Sequence, residues 1–201
     1  LYAATVGSPA GTHFAYDFET GALLHAWRGS FIDTFNMWDG RGNDQTAKAA
    51  GPALTFNGKP FLGLIEYAAN GDWPDHTDAL WSSAGYTLEA DGTPVFLANL
   101  ADISLRDRVV AAPGGRGLVR TLTLNGKLPS WSAWLLLAES SAITPQSEGR
   151  GWIIGAREWY LDWPDDAPVQ PVIRTVNGRQ QLAVPVRTSL LEKPLTYSII
   201  W

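Results

Sequence analysis

The sequence predicts a single all-β domain over residues 1–201, a large two-sheet antiparallel sandwich of super-sandwich type with about a dozen strands and little helix. Three observations lead to this fold class. The chain is rich in glycine and proline, with 20 Gly, 13 Pro and 10 Trp against one Met, and it is poor in charge. Turn-forming dipeptides recur at short spacing. The apolar residues between them alternate with a period of two, as in a strand with one buried face.

The turn signals are the most regular local feature. Three dipeptides stand between apolar runs: Asn57-Gly58, Asp91-Gly92 and Asn177-Gly178. Because such dipeptides tolerate positive φ at both central positions of a type I′ turn, each predicts a β-hairpin. A slightly longer turn at residues 19–21 predicts a hairpin between the strands of residues 14–18 and 22–27.

The strand patterns also predict which residues are buried. Leu182, Val184 and Val186 alternate with Gln181, Ala183 and Pro185, so the second set is expected to face outward, with the proline at a strand end or edge. In the strand of residues 118–124, Arg120 falls on the leucine side. It is therefore expected to end the buried stretch or to have a partner.

Composition excludes several kinds of function. The chain has no cysteine, which excludes disulfides, thiolate metal sites and an attached c-type haem. Its net charge is −5 and its basic residues are scattered, so we predict no nucleic-acid partner. The longest apolar run, residues 134–138, is too short to span a bilayer, so no membrane insertion is predicted. No cofactor is predicted.

The first candidate binding stretch is residues 27–42. Trp27 and Trp38 would offer flat apolar faces to a sugar ring. Charged residues around them would bond its hydroxyl groups: Arg28, Asp33, Asp39 and Arg41. The alternative, which buried tryptophans in sandwich cores favour, is that both indoles are core residues above a salt-bridged strand end.

A second polar-aromatic stretch surrounds Trp73, which we add to the candidate ligand-binding residues. Asp72, Asp75, His76 and Asp78 have donor atoms that suit a metal ion, but their spacing matches no EF-hand loop. Acidic residues also favour turns through local hydrogen bonds. A solvated loop is therefore the expectation, and no metal site is assigned.

Catalysis would need two converging carboxyl groups. Asp33, Asp39 and Glu158 are the candidates for an acid and base in an alternative reading, a glycoside hydrolase, lyase or mutarotase-like enzyme. No nucleophile-elbow motif and no glycine-rich phosphate loop accompanies them. The sequence therefore favours a non-catalytic module.

Two longer stretches resemble a known context. The first comprises residues 13–17, 21–24, 27–33, 37–38 and 41–42, and the second residues 85–86, 91–96 and 118–122. Together they resemble a β-sandwich region of large exported planctomycete and Bacteroidetes-type proteins, which combine sugar-dehydrogenase-like and c-type cytochrome modules. The second stretch is also similar to super-sandwich strands of mutarotase-like proteins.

The resemblance implies a periplasmic or extracellular location, a multidomain parent protein and a link to carbohydrate breakdown. The chain begins at Leu1 without an initiator methionine, which we read as a mature or excised piece of a larger product. We therefore expect a non-catalytic module that binds an oligosaccharide or packs against a neighbouring domain of its parent.

Overall fold

The computed structural model describes residues 2–39, 46–65, 72–129, 132–146 and 150–201. Strands hold 55% of the chain and helices 7%, which confirms the all-β class. The described part contains eighteen strands, more than the dozen predicted, because several have only three or four residues and show no alternation. The strands are β1 (Ala3–Gly7), β2 (Thr12–Asp17), β3 (Leu23–Arg28), β4 (Ser30–Asp33), β5 (Lys48–Ala50), β6 (Ala53–Thr55), β7 (Leu62–Leu64), β8 (Trp81–Leu88), β9 (Pro94–Leu100), β10 (Ile103–Ala111), β11 (Gly117–Gly126), β12 (Ala133–Ser140), β13 (Ile143–Pro145), β14 (Gly151–Ile154), β15 (Trp159–Asp162), β16 (Val172–Val176), β17 (Arg179–Pro185) and β18 (Leu195–Ile200). The helices are α1 (Phe35–Trp38) and α2 (Thr188–Glu192), with a 3₁₀ turn at Pro113–Gly115.

The strands form three larger sheets and one small one. The long sheet has the order β13-β14-β15-β18-β11-β10-β9-β8. The N-terminal sheet has the order β1-β2-β3-β6, and a second four-stranded sheet, the β12 sheet, has the order β16-β17-β12-β7. Strands β4 and β5 pair by themselves. All these pairings are antiparallel.

One face of the long sheet is buried by the two four-stranded sheets. Along β10, Ile103 and Leu105 are buried while Arg106 is exposed, which is the alternation of a half-buried strand. The Tyr16 ring of the N-terminal sheet stacks on Phe96 of the long sheet with a centroid separation of 3.8 Å. Leu182 of the β12 sheet belongs to the same apolar core. The fold is therefore the β-sandwich that the sequence predicts.

Arg120 in β11 is buried and has a partner, as its position in the strand pattern required. Its Nε donates to both carboxylate oxygens of Asp107 in β10, at 3.0 and 3.1 Å. Its Nη2 donates to the Gly21 carbonyl at 2.9 Å, and the Phe61 ring lies 3.5 Å from the guanidinium. Arg120 thus joins the long sheet to the first hairpin through satisfied polar contacts.

The predicted turns differ in outcome. Asn177 and Gly178 both have positive φ, 49° and 75°, and join β16 to β17 as the predicted type I′ hairpin. The Asp91-Gly92 dipeptide joins β8 to β9 and the turn at residues 19–21 joins β2 to β3, so both hairpins are confirmed. Only Gly92 of the first dipeptide has positive φ, so that turn is not of type I′. The Asn57-Gly58 hairpin is wrong, because β6 pairs with β3 while β7 pairs with β12 in another sheet.

The outward face predicted for β17 is also wrong in part. Gln181 and Ala183 are buried, at 2% and 0% exposure, because Trp73 covers the outer face of the β12 sheet. Trp73, Trp134, Leu136 and Ala183 form, with Ile65, a second small apolar cluster there. Pro185 ends β17, as expected. The β12 sheet is therefore covered on both faces, which period-two alternation alone does not reveal.

Candidate functional site

Trp27, the first predicted platform residue, lies in the core. It is 2% exposed, and its indole nitrogen donates to the carbonyl oxygens of Ser30 and Phe31 at 3.1 and 2.7 Å. The Phe31 ring stacks beside it at a centroid separation of 6.5 Å. The indole therefore presents no open face on which a sugar ring could stack in this structure.

The other members of this stretch lie near the small β4–β5 sheet. Arg28 is exposed, donates to the main-chain carbonyl of Trp201 and lies 5.3 Å from the centroid of that indole. The Asp33 carboxylate accepts the Phe35 amide at 2.9 Å in a local turn before α1. Trp38 is 77% exposed. Asp39 follows α1 and is exposed, and Arg41 lies outside the described residues. Trp27 and Trp38 do not form a common platform.

Trp73 is buried against the β12 sheet. Its indole nitrogen donates to the Pro60 carbonyl at 2.7 Å, and its ring belongs to the second apolar cluster. Because its indole is held in this way, Trp73 fixes the position of the neighbouring Asp72 over the outer face of this sheet.

Within the described residues, no group of three or more His, Asp or Glu side chains is arranged to hold a metal ion.

The three carboxylates of the enzyme alternative lie on different parts of the fold. Asp33 and Asp39 flank α1, whereas Glu158 precedes β15 in the long sheet. Glu158 lines a small cavity of about 70 Å³ together with Glu139, and neither aspartate lines that cavity. Burial by itself raises the pKa of Glu139, but hydrogen bonds from Gln181 and Lys59 outweigh it and lower that pKa. A lowered pKa is the wrong direction for a general acid at neutral pH.

An aromatic surface concavity lies elsewhere, at the lateral margin of the sandwich. The aromatic groove, of about 570 Å³, runs between the N-terminal sheet and β8, the edge strand of the long sheet. Four aromatic side chains line it: Tyr2, Phe18, Trp81 and Tyr86. Its volume is within the range of about 300–1,000 Å³ that is usual for ligand pockets.

The groove combines rings with polar groups. Tyr2 and Tyr86 are 79% and 55% exposed, so their rings and hydroxyls face solvent. The Trp81 indole nitrogen is buried and has no hydrogen-bond partner among the described residues. Glu19 adds a carboxylate to the wall. Flat apolar faces beside a carboxylate and two tyrosine hydroxyls suit a ligand that is apolar on one side and hydroxylated on the other.

Local sequence explains why β8 lies open here. Gly85 has a φ of +75° and stands where the pairing of β8 with β9 shifts register between Ser83 and Tyr86. Such a bulge bends the strand and re-aims its side chains. Trp81 lies directly over Gly21, where an added Cβ would come within 2.8 Å of the indole ring. The absent side chain at Gly21 is thus what lets Trp81 lie flat.

Sequence reasoning did not identify the groove residues. Tyr2, Phe18 and Tyr86 come from three separate segments, and each reads as an ordinary strand aromatic. One feature of the sequence could have indicated a binding surface here. The β8 segment, Trp81–Leu88, has no charged residue although it is an edge strand. Natural edge strands usually carry charge or proline.

Comparison with known proteins adds no relative. No protein-family model matches the chain, and neither the curated proteins nor the solved structures contain a match. None of the helices described is long and apolar enough to cross a membrane.

Proposed function

We propose that this chain is a non-catalytic carbohydrate-binding module of an exported, carbohydrate-linked protein, and that the aromatic groove is where it holds a glycan. The observation that carries the proposal is the groove itself, with Tyr2, Trp81 and Tyr86 along its walls. Sugar rings have C–H faces that pack on aromatic rings, and their hydroxyls bond carboxylates such as that of Glu19 in the wall. The exported location belongs to the same proposal, and fractionation of cells that express the full-length protein tests it.

The test is a titration of the whole chain with soluble oligomers of glucose, xylose, mannose and N-acetylglucosamine. Calorimetry measures affinity, and the difference in tryptophan emission between the unaltered chain and Trp81→Phe reports on Trp81 among the ten tryptophans. At least one oligomer should bind. Tyr86→Ala should weaken that binding about tenfold, which corresponds to roughly 1.4 kcal/mol. Trp38→Ala is the matched control, since it removes an exposed aromatic residue outside the groove.

Two results would contradict the groove assignment. The first is no binding of any oligomer, and the second is equal weakening by Tyr86→Ala and Trp38→Ala. A reducing-end assay on the same mixtures tests the enzyme alternative, because a hydrolase or lyase would release new chain ends. The non-catalytic proposal expects none above the rate of the oligomer alone.

A second candidate function, packing against a neighbouring domain, has its own supporting observation. Four exposed apolar side chains lie close together in sequence on β4 and α1: Phe31, Phe35, Met37 and Trp38, with exposures of 39%, 65%, 41% and 77%. Exposed apolar residues clustered in this way are typical of interaction surfaces. If this role holds, Trp38→Ala should weaken association with the neighbouring domain of the parent protein while Tyr86→Ala leaves it unchanged.

A further inference from the structure

A second concavity, the Gln181 cleft, lies on the outer side of the β12 sheet. Its volume is about 170 Å³. Trp73 and Gln181 form its base, and Lys59, Glu139 and Arg179 stand around them. The aromatic groove is lined by none of these residues. The cleft is therefore a separate site with its own chemistry.

Glu139 is the centre of the polar contacts in this cleft. Its Oε2 accepts from Gln181 Nε2 at 2.8 Å and from Lys59 Nζ at 2.9 Å, and its Oε1 accepts from Arg179 Nε at 3.1 Å. The Glu139 side chain is only 7% exposed. Three charge-assisted hydrogen bonds hold it as a carboxylate whose acceptor positions are largely filled.

Gln181 is the residue whose hydrogen bonding is incomplete. It is 2% exposed, and its Oε1 is buried with no hydrogen-bond partner among the described residues. Exchanging the positions of the amide oxygen and nitrogen does not give the oxygen a donor, because the oxygen would then face the Glu139 carboxylate. A buried acceptor without a donor costs free energy, so a ligand hydroxyl that donates to this oxygen would remove that cost.

The rim of the cleft alternates donors and acceptors. Asp72 Oδ1 accepts from Asn177 Nδ2 at 2.7 Å, and its other oxygen has no hydrogen bond within the part of the chain that the structure describes. Asp75 is 81% exposed and lies 3.9 Å from Lys59 Nζ. An ammonium and a guanidinium carry three and five donors, more than Lys59 and Arg179 use on Glu139. A ligand here can both donate and accept.

This pattern selects among ligand charges. A cationic ligand would lie beside Lys59 and Arg179, and an anionic one beside Glu139 and the rim aspartates. A neutral hydroxyl donates and accepts at once, so it meets no like charge. The volume is below the range of about 300–1,000 Å³ usual for drug-sized ligands, which limits the occupant to one small ring.

We propose that the Gln181 cleft binds a neutral polyol unit, in which one hydroxyl donates to Gln181 Oε1 and a neighbouring hydroxyl bonds the Asp72–Lys59 rim. Two sources share this chemistry, a free monosaccharide and the terminal ring of a longer glycan. The site does not depend on the aromatic groove. It would recognise its ligand through hydrogen bonds at the bottom of the cleft and not through ring stacking.

The experiment titrates the whole chain with free glucose, galactose, mannose and xylose, with their methyl glycosides, and with the corresponding disaccharides. Saturable binding of at least one probe by calorimetry is expected. A free sugar that binds while its disaccharides do not indicates the monosaccharide source. Equal affinity for a sugar and its disaccharide indicates a chain end.

Gln181→Met is the decisive variant, because methionine keeps the length of the side chain and removes the acceptor. Binding should fall at least about tenfold. Since this variant also removes a donor from Glu139, Asp72→Ala provides a second variant, at an exposed position of the rim that the ligand contacts. It should weaken binding by roughly threefold, the size of a solvent-exposed polar contact. Asp165→Ala, an exposed carboxylate outside the cleft, should change nothing.

The proposal is overturned if no probe binds at about 100 mM, a concentration far above the usual range of specific affinities. It is also overturned if Gln181→Met binds as tightly as the unaltered chain. The aromatic groove is tested separately in the same samples. Tyr86→Ala should keep cleft binding, and Gln181→Met should keep groove binding, so failure of one site leaves the other assessable.

Discussion

Asp107 and Arg120 lie in adjacent strands of the long sheet, and their charges meet in a fully buried position, with side chains 0% and 4% exposed. Burial by itself lowers the pKa of Arg120, but the attraction of Asp107 outweighs it and keeps the pKa above its ordinary value. Burial also raises the pKa of Tyr197 to about 12, so its hydroxyl stays protonated beside the guanidinium.

Removing one member of this pair should therefore be costly. Asp107→Asn leaves a buried guanidinium without a counter-charge, and the free energy of unfolding should fall by about 3–5 kcal/mol. Urea denaturation of the variant and of the unaltered chain measures the change. The double variant Asp107→Leu with Arg120→Met should recover much of the loss. A loss below about 1 kcal/mol for Asp107→Asn would contradict the structural role given to the pair.

Gly21 links the first hairpin to the aromatic groove. Its φ is +67°, and an added Cβ would lie 2.8 Å from the Trp81 ring. Gly21→Ala should lower stability by about 1 kcal/mol through the backbone alone, and further through the displaced indole. Gly92→Ala is the matched control, because Gly92 has a φ of +82° with open space around it. Only the Gly21 variant should shift tryptophan emission and weaken glycan binding. Equal effects of the two variants would refute the contact.

Stability should depend on Glu139 in acid. The pKa of Glu139 is lowered from its ordinary value of 4.5 in the folded chain. A depressed pKa contributes stability that is fully present above pH 4.5 and is lost as the pH falls through the folded pKa. Denaturation between pH 7 and pH 3 should therefore show a steeper loss for the unaltered chain than for Glu139→Gln. Parallel curves for the two proteins would show that Glu139 makes no such contribution.

Trp73 should matter for stability while Trp38 should not. Trp73→Phe removes the hydrogen bond to the Pro60 carbonyl and part of the cover over the β12 sheet. The expected loss is about 1–3 kcal/mol, combining the lost bond with imperfect packing. Trp38→Phe, at a 77% exposed position, should stay within about 0.5 kcal/mol. Thermal unfolding of both variants compares them directly, and a similar fall for each would contradict the burial of Trp73.

The fold class was predictable because it depends on local signals. The Asn177-Gly178 turn and the leucine-side position of Arg120 both follow from turn chemistry and strand alternation. Asn57-Gly58 failed because a turn dipeptide fixes only a local bend. Gly58 has positive φ and the Asn57 side chain accepts the Lys59 amide, which is the same local geometry that Gly92, Asp91 and Thr93 form in the β8–β9 hairpin. The chain then passes to another sheet.

The sites depend on tertiary contacts, which a single sequence does not display. Gln181 reads as an outward strand residue and becomes buried only because Trp73, more than a hundred positions away, covers its face. The groove similarly needs Tyr2 and Trp81 to meet at the margin of the sandwich. Trp27 illustrates the reverse case. Its sequence neighbours suit a sugar platform, yet its indole donates to main-chain carbonyls within its own turn.

The position of β18 has a consequence for how the chain folds. It pairs with β11 on one side and with β15 on the other, so it joins the β8–β11 meander to the β13–β15 meander. Each meander consists of neighbouring strands and closes short loops, whereas the β11–β18 pairing closes a loop of roughly seventy residues at a higher entropic cost. The two halves of the long sheet should therefore form first and remain separate until β18 is inserted between them. This insertion makes completion of the sandwich a slow step, on the scale of about milliseconds to seconds that is typical of folds with distant strand pairings.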